Sequence, residues 1–223
     1  MSKRRATIAK RLVEAQRTAA MLSTFNEVDM SAVMALRERH KQTFKEKHGV
    51  GLGIASFFVK ALIGALRAFP RLNAEIQGDE MVLRHYYDIG VAVGAAEGLV
   101  VPVIRDADLK SPLQIAQEIQ RLADEARAGK LAANELSGST FTITSLGKQS
   151  GLFAVPIINY PNVGILGLHR IKQRPVVRDG QIAIGHVMLL SLSLDHRIVD
   201  GHVGAAFAYD VIHYLEDPAR LLL

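Results

Sequence analysis

The stretch from Val187 to Tyr214 constrains this chain more than any other. Val187-Met188-Leu189-Leu190 is an apolar run of strand length. Gly204 to Tyr214 reads as a helix, with Val203, Phe207, Val211 and Tyr214 on one face. Between them lies Ser191-Leu192-Ser193-Leu194-Asp195-His196-Arg197-Ile198-Val199-Asp200-Gly201. His196 therefore falls where a buried strand gives way to a turn closed by Asp200-Gly201. An imidazole titrates near neutral pH, so one placed there can take a proton from a thiol or a hydroxyl. Asp200, four residues on, can fix the turn or hold a cation. A lone histidine at such a place more often anchors a tight turn. Two aspartates, an arginine and a glycine around it make this string more specific than that.

Composition narrows the chemistry. A chain of 223 residues that is 49% hydrophobic buries a large core and stays within the size of one domain. It contains no cysteine, so disulfides, a thiol nucleophile and thiolate metal sites are excluded, and any reactive thiol belongs to a substrate. The net charge of +5 suits a polyanionic ligand such as a nucleotide-bearing cofactor. That charge is dispersed and accompanies no nucleic-acid motif. No apolar run approaches the roughly 18 residues of a membrane span.

In chain order, Met1 to Ala20 is basic, with Ile8, Leu12 and Ala15 on one helical face. Ser23 to Met30 alternates as a strand, and Ser31 is expected to cap a helix, Ala32 to His48, whose apolar stripe is Val33, Leu36 and Phe44. Ile54 to Phe69 is a second, almost wholly apolar helix, central to the core. A hairpin around Gly78-Asp79 follows, then a strand pair, Asp88–Val93 with Gly98–Ile104. Ser111 caps a helix that Pro112 opens and that runs to Arg127. Ser139 to Gly147 alternates, with Thr142 and Thr144 on one face and Phe141 and Ile143 on the other. Threonine is common in strands, so Thr144 is structural by default. Val163 to Leu168 is a buried strand, and Ile171–Val177 with Gln181–Ile184 forms a hairpin on Arg178-Asp179-Gly180. The remaining histidines show no metal-ligand spacing.

Asp195-His196-Arg197-Ile198-Val199-Asp200-Gly201 resembles the DHRxxDG signature of the E2 acyltransferases of 2-oxo acid dehydrogenase complexes. The segments beginning Phe69-Pro70, Asp88-Ile89, Gly98-Leu99, Phe141-Thr142-Ile143 and Pro156-Ile157 also resemble that family, so the likeness covers essentially the whole chain. The resemblance implies an α/β fold of the chloramphenicol acetyltransferase type, a two-layer sandwich of mixed sheet and helices. It implies transfer of an acyl group between dihydrolipoamide and coenzyme A, with His196 as the general base that activates the coenzyme A thiol. Thr144 matches the position whose hydroxyl donates to the oxyanion, and it would serve a neighbouring subunit's site. Asp200 would hold the histidine loop, with Arg11 as its cation.

The family also implies a homotrimer that assembles into a larger shell. The N-terminal segment would wrap a neighbouring subunit, and Leu221-Leu222-Leu223 would join trimers. Further partners are a lipoyl domain and the E1 and E3 components of the full-length protein. Residues 1–223 read as the catalytic domain alone, so the lipoyl group is expected in trans, in a bacterial cytoplasm or a mitochondrial matrix. Residues 20–27 and the ending look like succinyltransferases of 2-oxoglutarate dehydrogenase, whereas Ser145 to Ala154 is closer to acetyl or branched-chain members. Succinyl is the favoured group. The alternatives are an acetyl or branched-chain acyl E2 core, a cage-forming scaffold with little activity, and a free-standing acetyltransferase acting on a small alcohol.

Overall fold

The computed structural model describes residues 1–95, 98–147 and 151–222. Helix α1 (Lys3–Thr18) leads into β1 (Met21–Asp29), α2 (Ser31–His48) and α3 (Ile54–Ala68). A small hairpin, β2 (Ala74–Gln77) with β3 (Glu80–Leu83), precedes β4 (Ile89–Val91), β5 (Val93–Ala95), β6 (Gly98–Val100) and β7 (Val103–Ile104). Helix α4 (Pro112–Ala128) is followed by β8 (Phe141–Ser145), β9 (Gly164–Leu168), β10 (Lys172–Arg178), β11 (Gln181–Asp195) and α5 (Gly201–Glu216). The main sheet runs β1-β11-β9-β8-β4-β7, with β10 also paired to β11. It is mixed: β8 lies parallel to β4 and β9, and the other pairs are antiparallel. No described helix is long and apolar enough to cross a membrane.

The two faces of this sheet differ in chemistry because side chains alternate along each strand. One face presents Phe141 and Ile143, Leu166 and Leu168, and Leu190, Leu192 and Leu194. These join the buried side chains of α3 and α5 in one core cluster. Phe207 of α5 sits at its centre, its ring 5.7 Å from that of Phe141 and 6.0 Å from that of Phe69. Helix α3 buries Phe58, Val59, Ala61, Leu62, Ala65 and Leu66 completely, as its almost wholly apolar sequence requires. Register puts Thr142 and Thr144, Ile165 and Gly167, and Ser191 and Ser193 on the opposite face. That face is the polar one.

Several sequence expectations shift in detail. Strands β10 and β11 meet at a two-residue turn, Asp179-Gly180, where both φ values are positive (50° and 76°). This is the type I′ geometry that glycine admits without strain. Strand β11 is one element of 15 residues rather than two short ones, because pairing carries it through Gly185 and His186. The expected strand pair at Asp88–Ile104 splits into β4 with β7 and β5 with β6.

Ser31 does not cap α2. Its hydroxyl accepts instead from Arg178 Nη2 and the His186 N–H, at 2.8 and 3.1 Å, and the Asp29 carboxylate takes the Ser31 N–H at 2.9 Å. Burial raises the Asp29 pKa, but hydrogen bonds from Ser31 and Arg178 outweigh it and hold the carboxyl below its usual range. Ser111 does cap α4, and Gln114 reaches back to complete a capping box. At the C-terminus, Leu221 is half-buried and packs against the chain's own core. The turn Pro218–Leu222 folds back onto α3 and α5. Leu223 lies outside the described residues, as do residues 148–150 of the stretch read for acyl preference.

Candidate active site

The histidine turn is built from backbone outward. Strand β11 ends at Asp195, whose N–H donates to the Val163 carbonyl at 2.9 Å. The His196 N–H donates to the Ala20 carbonyl at 2.8 Å, and the Ile198 and Val199 N–H groups close the turn on the Asp195 carbonyl. The Asp195 side chain locks it. Its carboxylate accepts from Arg197 Nε at 3.0 and 3.1 Å, from Arg197 Nη2 at 2.7 Å, and from the N–H groups of Arg197 and Ala20 at 3.1 and 3.3 Å. Those hydrogen bonds raise the Arg197 pKa further above its already high value. Asp195 is 2% exposed, while His196 between the two partners is exposed. The turn is thus held from beneath and presents its imidazole outward.

Asp200 plays a smaller part within the chain than expected. It is the exposed N-cap of α5 and its side chain makes no capping bond. The arginine paired within this turn is Arg197, bonded to Asp195, while Arg11 lies exposed on α1. Sequence reasoning noted both partners in the motif and missed their pairing. The signal was there: an aspartate and an arginine two apart at a strand end lie within reach once the intervening backbone turns.

Thr144 is half-buried on the polar face, near the C-terminal end of β8. Its neighbour across the sheet is Gly167, and Gly167's next neighbour is Ser191. A side chain at Gly167 would put its Cβ 2.4 Å from Ser191 Oγ, so the bare glycine lets that hydroxyl lean over the strand. Ser191 Oγ lies 2.9 Å from His169 Nε2, a buried imidazole whose Nδ1 has no partner and whose pKa burial pushes down. Two residues before Thr144, the fully buried Thr142 donates to Asn162 Oδ1 at 2.7 Å. Among the described residues no group of three or more metal-ligating side chains assembles.

One chain does not bring Thr144 and His196 together. Register places Thr144 level with Ser191, five residues before His196 on β11 and two strands away. At about 3.3 Å per residue and 4.8 Å per strand, that is roughly 16 Å along the sheet and 10 Å across it. No single carbonyl can touch both side chains of one chain.

The model of the 2-oxoacid dehydrogenases acyltransferase (catalytic domain) family matches residues 1–223. The chain belongs to this family. It is 55% identical over its whole length to the dihydrolipoyllysine-residue succinyltransferase component of the 2-oxoglutarate dehydrogenase complex of Bartonella vinsonii subsp. berkhoffii, and spans 54% of that relative. The chain thus covers about half the length of the relatives it matches. Among solved structures it is similar to Azotobacter vinelandii dihydrolipoamide acetyltransferase, with a TM-score of 0.96, 34% identity and coverage of 100% of this chain and 92% of the other. That study concerns the catalytic roles of a serine, a histidine and an asparagine. The same figures hold for the cubic core of a pyruvate dehydrogenase multienzyme complex. Chloramphenicol acetyltransferase, 17% identical with a TM-score of 0.54 over 92% of this chain and 94% of its own, shares the fold.

Proposed function

We propose that this chain transfers an acyl group, succinyl by preference, between dihydrolipoamide and coenzyme A. The observation that carries the reading is the pairing of an outward histidine on a locked turn with a half-buried threonine hydroxyl at the far end of the polar face. Thr144, His196 and Asp200 also fall at the same sequence intervals as the serine, histidine and asparagine studied in the Azotobacter enzyme. Succinyl is favoured because the succinyltransferases are 46–55% identical to this chain, against 34% for that acetyltransferase.

In this mechanism the His196 imidazole takes the proton from the coenzyme A thiol. The thiolate attacks the carbonyl carbon of the acyl-dihydrolipoyl thioester, and the carbonyl oxygen becomes an oxyanion. Thr144 Oγ1 of a neighbouring subunit donates to that oxygen, a contribution of roughly 3–4 kcal/mol to the barrier for a well-placed donor. Collapse breaks the bond to the lipoyl sulfur, which takes the proton back from the imidazolium. Asp195 and Arg197 hold the base in place, and Asp200 supports the turn at the start of α5.

Sharing the site between chains fits a homotrimer, with heterologous contacts closing a ring. Further assembly into a shell follows the precedent of the cubic-core neighbour. Lipoyl domains and the other two enzyme components of such a complex are the partners in this reading. Coenzyme A assays with succinyl-, acetyl- and isobutyryl-dihydrolipoamide test it. The highest kcat/KM is expected for succinyl, and no turnover with any of the three would refute acyl transfer.

A further inference from the structure

One side chain ties the two halves of the proposed machinery together. Asn162 is 4% exposed and sits in the segment between β8 and β9. Its Oδ1 accepts from Thr142 Oγ1 at 2.7 Å and from Ser139 Oγ at 3.1 Å, and its Nδ2 donates to the Ser139 carbonyl. Asn159 adds bonds from its Nδ2 to the same two hydroxyls, each at 3.3 Å. The residue after Asn162 is Val163, whose carbonyl accepts the N–H of Asp195. A short path therefore runs from β8, which carries Thr144, through Thr142, Asn162 and Val163 to Asp195 and the His196 turn.

Five hydrogen bonds join the side chains of Asn162 and Asn159 to Thr142 and Ser139, and Thr142 and Asn162 are themselves buried, where an unpaired amide or hydroxyl is costly. A hydrogen-bond network anchored on two buried side chains fixes geometry rather than merely filling space. We propose that Asn162 is a positioning residue that holds the strand bearing Thr144 and the turn bearing His196 in one fixed relation. The inference rests on the proposed function, in which those two side chains of one chain serve different active sites. Asn162 then sets the register between neighbouring sites, and disturbing it moves the donor of one and the base of the other together.

The test uses assemblies mixed from His196→Ala chains and Thr144→Ala chains, where each working site takes its base from one kind and its donor from the other. Thr142→Val, which removes the hydroxyl on Asn162, is placed first on the chain that supplies the donor, then on the chain that supplies the base. Both placements are expected to lower kcat roughly tenfold to a hundredfold, the scale of a misplaced catalytic group, with KM values moved less than about threefold. Thr142→Ser should restore kcat to within about twofold. A loss confined to one placement, or no loss, overturns the proposal. If the valine variant does not assemble, Ser139→Ala takes one hydroxyl off Asn162 and carries the same comparison, with unchanged kcat as the refuting result. Mixed assemblies inactive before any third substitution would refute the shared site instead. Thr142→Val in the otherwise unaltered chain then decides the role of Asn162 by the same split between kcat and KM.

Discussion

Replacing Asp195 by asparagine should both loosen the protein and slow it. The carboxylate takes the Arg197 guanidinium through Nε and Nη2 and two backbone N–H groups, and it is almost wholly buried. Asparagine keeps the shape, but turns an NH2 toward donors and leaves Arg197 without its counter-charge. Breaking a fully buried pair costs about 3–5 kcal/mol. Here the Arg197 side chain is 36% exposed and regains water, which screens part of the loss. We expect a loss of about 2–3 kcal/mol in urea unfolding, since hydrogen bonds to charged groups contribute roughly 1.5–3 kcal/mol each. The His196 turn would lose its support from beneath, so kcat should fall roughly tenfold or more with KM little changed. Arg197→Lys keeps the charge, loses the two-pronged geometry and should fall between the two. Wild-type turnover in Asp195→Asn would refute the argument that this pair holds the base, whatever its effect on stability.

Three further outcomes follow from the polar face. Thr144→Ala should lower kcat roughly a hundredfold with nearly constant KM, and Thr144→Ser should keep most activity, as steady-state kinetics will read. Gly167→Ala forces a Cβ to 2.4 Å from Ser191 Oγ and should cost about 1–3 kcal/mol by urea unfolding; adding Ser191→Ala should return part of it. His169 is held neutral by burial, so as pH falls below 6.5 the unfolded chain binds a proton that the folded chain refuses. Stability should therefore drop from pH 6.5 toward the lower folded pKa, and His169→Gln should remove that part of the slope in a pH series of unfolding curves.

What the sequence disclosed, and what it hid, divides along physical lines. Periodicity was enough for α3 and for the two faces of β8, since alternation alone separates Phe141 and Ile143 from Thr142 and Thr144. Local chemistry was enough for the Ser111 cap, but the same reasoning failed at Ser31. There Asp29 lies two residues earlier and takes the N–H, while the serine hydroxyl is drawn to Arg178 and His186 from far along the chain. The bond between Asn162 and Thr142 joins residues 20 apart, and no local pattern signals it. Asp195 and Arg197 stood in plain view within the motif. Their pairing depends on the turn geometry, which spacing does not encode. The family resemblance, not the residue pattern, led from an alternating strand to Thr144 as a donor.

The central claim is that each active site draws its base from one chain and its donor from another. Chains carrying only His196→Ala and chains carrying only Thr144→Ala should each be nearly inactive when assembled alone. Unfolded together in equal amounts and refolded, they should recover about a quarter of wild-type turnover, because in a ring of heterologous contacts one site in four pairs an intact histidine with an intact threonine. If base and donor came from the same chain, every chain in the mixture would lack one of them. Turnover no higher than that of the separate variants would contradict the account.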